Sequence, residues 1–156
     1  MLNLSGKVAV YQLGLSIGYF KLPKVVEWVD LTILQLDSSD IPNQLYEVSL
    51  SSHKKIDDVI SLLSEITRGN YIETASKVIL GLLCKSFEKK EIEIQQVVTL
   101  MYRLAWERNI EDEIFSKING LDADYEMAVD GYGDMKSVKK EIQVFLGRYE
   151  MYSELI

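Results

Sequence analysis

Residues 71–87 read YIETASKVILGLLCKSF, and this stretch decides the fold. Ile72, Ala75, Val78, Ile79, Leu82 and Leu83 recur at spacings of three and four, and Phe87 extends the series. Apolar residues at that spacing lie on one face of a 3.6-residue turn, so a helix over 71–87 is predicted. Asn70 with Glu73 three residues on gives it a capping-box-like start, with Asn in place of the usual Ser or Thr. Lys85, Lys89 and Lys90 gather at its far end, where aligned peptide dipoles favour cations.

The same period extends in both directions. Upstream, Ile56, Val59, Ile60, Leu63 and Ile66 mark a helix over about 54–67. Ser51 or Ser52 is placed to cap it, Asp57 and Asp58 suit its first turns, and Gly69 suits its stop. A short helix over about 42–50 opens at Pro42 and turns Leu45, Val48 and Leu50 inward. Residues 23–36 start at Pro23, which is tolerated where a helix has no partner for its first N–H groups. Residues 5–18 fit both helix period and strand alternation. Their helical neighbours favour helix, although Gly14 and Gly18 would each weaken it by roughly 1 kcal/mol against Ala.

Downstream, Ile94, Val97, Val98, Met101, Leu104 and Ala105 define a helix between Glu91 and Arg108. Asn109 is placed to cap a further helix carrying Ile114, Phe115, Ile118 and Leu121. That helix pauses at Gly120 and resumes through Ala128 and Val129. Gly131-Tyr-Gly133 is a break, and a last helix covers about 135–153. The expected fold is all-α: seven to eight helices as stacked antiparallel hairpins or an irregular bundle, in one domain over 1–156.

Composition limits the functions open to such a domain. The chain has 156 residues, 47% hydrophobic and 26% charged, with a net charge of −7. An acidic protein is a poor ligand for nucleic acid or an anionic membrane surface. No apolar run reaches the length of a membrane span, and the N-terminus lacks the pattern of a signal peptide, so a cytoplasmic location is expected. One cysteine, Cys84, permits no intrachain disulfide and no multi-thiolate metal site.

No catalytic set assembles from the residues. His53, the only histidine, stands beside Lys54 and Lys55, and Cys84 reads as a buried thiol on an apolar helix face. A di-metal helical site needs Glu-x-x-His motifs, which are missing. Asp122, Asp124, Glu126 and Asp130 match alternate positions of a calcium loop. Met127 replaces its glycine, and Gly133 stands where the bidentate Glu belongs. The expectation is a protein without enzymatic activity, cofactor or metal.

The remaining signal is charge. Glu107–Asp134 holds nine acidic residues against two basic ones, a net −7 that equals the charge of the whole chain. On a helix, Glu126 would have a like charge four residues away on each side, at Asp122 and Asp130, a repulsion that a basic partner would relieve. Tyr125 and Tyr132 interleave with the acids, and tyrosine is a common interface anchor. Asp122, Asp124, Tyr125, Glu126, Asp130, Tyr132 and Asp134 are therefore the leading partner-binding candidates. Glu111, Asp112 and Glu113 join them, although a first-turn dipole role also explains those three.

A second line of reading comes from other residues. Gly14-Leu-Ser-Ile, Leu22-Pro-Lys-Val-Val-Glu-Trp-Val-Asp30, Asp40-Ile-Pro42, Glu47-Val-Ser-Leu50 and Ile56-Asp-Asp-Val-Ile-Ser-Leu-Leu63 form a recognisable cadence. Over residues 10–66 it resembles small helical bacterial immunity proteins encoded beside polymorphic or contact-dependent growth inhibition toxins. The resemblance implies a non-catalytic, cytosolic inhibitor dedicated to one toxin C-terminal domain, often a basic nuclease. The alternative is a helical adaptor that binds a basic protein segment unrelated to toxins.

Overall fold

The computed structural model describes all residues, 1–156, and the chain is all-helical with no strand. Eight α-helices follow one another: α1 Leu4–Ile17, α2 Leu22–Gln35, α3 Asn43–Ser49, α4 Ile56–Thr67, α5 Ile72–Glu88, α6 Ile94–Ala105, α7 Asp112–Val129 and α8 Met135–Gly147. Short 3-10 turns cover Ser38–Asp40 and Glu150–Leu155. No helix is long and apolar enough to cross a membrane. The chain forms two compact units, Leu2–Ile72 and Glu73–Ile156.

In the first unit α1 packs most extensively on α4, while α3 bridges α4 and α2. Val8, Leu15, Val25, Val29, Leu45, Val48, Val59 and Leu63 form its core. Beside them the Tyr11 ring stacks between Phe20, at 4.8 Å, and Trp28, at 4.1 Å. Burial, with a smaller push from the Glu27 carboxylate, raises the Tyr11 hydroxyl above its ordinary pKa. The glycines of residues 5–18 have opposite uses. Gly18 closes α1 in a left-handed conformation, φ 86°, which costs an L side chain strain. Gly14 leaves room for Phe20, whose ring lies where a side chain would begin.

In the second unit α6, α7 and α8 pack in chain order. Helix α5 is the deeply buried element, with Ala75, Ser76, Val78, Ile79, Leu80, Gly81, Leu83, Cys84, Ser86 and Phe87 all interior. The C-terminal turn lies along it. Tyr149 and Glu150 carbonyls and the Ser153 amide approach Gly81 so closely that a methyl group there would overlap backbone. Lys85 pairs with Glu154, and Lys77 reaches over the Tyr152 ring. The packing stripe expected for 71–87 is therefore one face of a helix that buries more than one face.

Helix ends depart from expectation for identifiable reasons. Ser51 does not cap α4, because its hydroxyl donates to the Glu47 carbonyl and finishes α3. Lys55 holds the α4 cap position without a side-chain bond. Asn70 donates its N–H to the Thr67 carbonyl at 3.0 Å, closing α4, and α5 starts after Tyr71 at φ 67°. Asn109 also turns left-handed, φ 61°, and leaves the α7 cap position to Glu111. The reciprocal capping box is at Glu93 and Gln96, opening α6. Gly120 does not interrupt α7, which runs unbroken to Val129.

Candidate functional site

A groove runs between α6 and α7, with a volume of about 340 Å³. Its α6 wall is Gln95, Val98, Thr99 and Tyr102, residues at helical spacing along one stripe. Its α7 wall is Asp122 and Glu126, one turn apart, with the Tyr125 side of the helix between them. Trp106 continues the α6 stripe past Tyr102, with ring centroids 6.2 Å apart, and meets Phe115 of α7 edge-on at 5.2 Å. Tyr102 is 43% exposed and Trp106 62% exposed. The site therefore joins two carboxylates, in a groove with no basic residue in its lining, to a row of accessible aromatic rings.

Helix geometry divides the acidic segment. At roughly 100° per residue, Asp124 points about 200° away from Asp122 and from Glu126, so it does not share their wall. Asp122, Glu126 and Asp130 follow one flank of α7, while Glu113 and Asp124 follow another. Tyr125, 9% exposed, is a core residue that also lines the groove, whereas Tyr132, 80% exposed, projects from the turn before α8. Asp134 is the α8 cap: its carboxylate accepts from the Lys136 N–H at 3.1 Å and the Ser137 hydroxyl at 2.8 Å.

Glu111, Asp112 and Glu113 each have a use within the chain. Lys77 lies between Glu73, at 3.1 Å, and Glu111, at 3.2 Å. The hydrogen bond from Lys77 lowers the Glu73 pKa, and the bond to Glu73 is the chief cause of the raised Lys77 pKa. Glu111 thus ties the start of α7 to α5. Asp112 and Glu113 occupy the first turn of α7, where the dipole favours them. Burial raises the Tyr149 hydroxyl, and Glu113 then Glu111 add to the shift.

Two aromatic members of the site, Tyr102 and Trp106, were legible only as the unburied flank of the α6 stripe. Cys84 is buried as expected. Its thiol lies 3.5 Å from a Glu88 oxygen, and the sulfur falls within 4.8 Å of carboxylate oxygens of both Glu88 and Glu150. Burial first, then the Glu88 charge, pushes its pKa up to about 12. His53 is exposed in the loop before α4. The first unit carries a separate cleft of about 480 Å³, lined by Leu22, Pro23, Val26, Glu27, Asp30, Leu31 and Ser52.

No family model, no curated protein and no solved structure matches this chain.

Proposed function

We propose that this protein is an immunity protein that binds and neutralises a cognate bacterial toxin domain, a basic nuclease of the RNase type, in the cytoplasm. The observation that carries the reading is the α6–α7 groove. It sets Asp122 and Glu126 one turn apart, opposite exposed Tyr102 and next to exposed Trp106. Carboxylates steer a basic partner into encounter and exclude acidic ones. Aromatic rings supply the buried area that holds it after contact. The immunity-like cadence of residues 10–66 falls in the unit Leu2–Ile72, and the groove falls in the unit Glu73–Ile156. The two supports therefore come from separate parts of the chain.

The deciding experiment is rescue. The toxin domain encoded beside this protein is expressed in cells with and without it, and survival is counted. Wild type restores growth, and the double variant Asp122→Lys/Glu126→Lys restores less. A chain that binds the domain without rescuing growth is an adaptor, and the immunity reading is then lost.

A further inference from the structure

The opposite side of α7 carries charge of the other sign. Lys117 of α7, Ser137, Lys140, Glu141, Val144 and Phe145 of α8, and Arg148 just past its end line a concavity of about 310 Å³. Lys140, Glu141, Val144 and Arg148 follow at spacings of one, three and four, and Arg148, the C-cap, keeps helical backbone, so α8 and its cap present them as one stripe. Three cations against one carboxylate give the concavity a net +2, on a chain whose net charge is −7. None of the three forms an ion pair, unlike Lys24, Lys77 and Lys85. Val144, 56% exposed, offers an apolar wall beside the charges.

Like charges converging without a counter-ion repel one another, and an anion that enters relieves the repulsion. We infer that this concavity is a binding site for a small phosphomonoester, whose dianion matches the +2 charge and whose apolar stem lies against Val144. A pocket near 300 Å³ is at the small end of ligand sites and suits one such group. The arginine fork can take two phosphate oxygens at once, and the lysines act as point charges. The inference does not depend on the acidic groove or on a toxin partner.

The test is a titration of the whole chain by amide NMR at low salt, with phenyl phosphate, inorganic phosphate and benzyl alcohol as probes. Phenyl phosphate binds most tightly, inorganic phosphate more weakly and benzyl alcohol least, with shifts on α8 and around Lys117. Lys140→Gln with Arg148→Gln weakens phenyl phosphate about tenfold, since exposed charge pairs each contribute modestly. Glu141→Gln tightens it about twofold, by removing the repelling carboxylate. All of these residues are exposed, so unchanged circular dichroism separates lost binding from lost fold. Another order of affinities, shifts elsewhere, or variants that bind like wild type would overturn the assignment.

Discussion

Helices α5 and α7 are nearly the same length, 17 and 18 residues, and each has a glycine near its middle. Ten residues of α5 are buried and only four of α7. A side chain added at Gly81 meets the backbone of Tyr149, Glu150 and Ser153, whereas one added at Gly120 meets nothing within 4 Å. The same residue type thus has opposite meanings. In α5 the interior selects most of the residues. In α7 the interior selects Ile114, Ile118, Leu121 and Tyr125 and leaves the rest to solvent or a partner. If the α6–α7 groove binds the proposed partner, the two helices separate stability from recognition, and substitutions in one should leave the property of the other intact.

The largest difference should appear at Cys84. At about pH 8 a rise of the thiol pKa from 9.0 to about 12 lowers the thiolate fraction about a thousandfold. Native protein should therefore react with a thiol reagent at least that much more slowly than urea-unfolded protein. Similar rates would mean that α5 is open to solvent. The folded thiol titrates above the unfolded one, so its contribution to stability is complete below pH 9.0 and is lost as pH rises towards about 12. A serine at position 84 should flatten that alkaline decline of the urea midpoint.

Next in size is Gly81→Ala. The added methyl group overlaps a backbone carbonyl, which cannot rotate away as a side chain can. Overpacking of this kind costs about 3 kcal/mol, more than a hundredfold in the folding equilibrium. Gly14→Ala in α1 meets the Phe20 ring instead, which has rotamers to use, and should cost less. Urea denaturation followed by circular dichroism ranks the two. Equal losses would show that the C-terminal turn yields as readily as a ring does.

The α5 stripe was readable in the sequence because burial writes a period of 3.6, and the all-helical class followed from repeating it. The close approach at Gly81 was not, since it depends on residues almost seventy positions away. Cap positions failed where Ser51, Asn70 and Asn109 had other uses for their polar or backbone groups: a local preference names candidates, and the neighbouring turn chooses among them. The charge of Glu107–Asp134 was legible as a sum and not as a surface. Helix period already set Asp122, Glu126 and Asp130 apart from Asp124; the path of α6 beside α7, which makes that flank a groove wall, was not legible. The fold also buries Tyr125 while Tyr132 stays outside. The aromatic half of the site was concealed because Tyr102 and Trp106 flank a stripe that reads as core.

Charge reversal in α7 is the third test. Asp122→Lys with Glu126→Lys should slow association with a basic partner about tenfold at low salt, and the difference should shrink as salt screens the encounter. Stability should rise by a few tenths of a kcal/mol: the two lysines repel each other as the two carboxylates did, but the lysine at 126 attracts Asp130 four residues on, where Glu126 repelled it. Asp124→Lys, on another flank, should have the smaller kinetic effect. If Asp124→Lys slows binding as much as the double variant does, total charge steers the partner and the groove has no privileged role.

The smallest effect should also have the opposite sign. Gly120→Ala places a methyl group in open space on an exposed turn in the interior of α7. Alanine restricts the unfolded chain more than glycine does, so folding loses less entropy, and the gain is about 1 kcal/mol. Gly81→Ala makes the same change in propensity, and the helix preference is overwhelmed there by overlap. The pair therefore isolates packing from propensity, with denaturation midpoints moving in opposite directions. A destabilising Gly120→Ala would mean that α7 bends at this glycine after all. In that case Asp122 and Glu126 would no longer be set by one rigid helix, and the groove would take its shape from the partner that fills it.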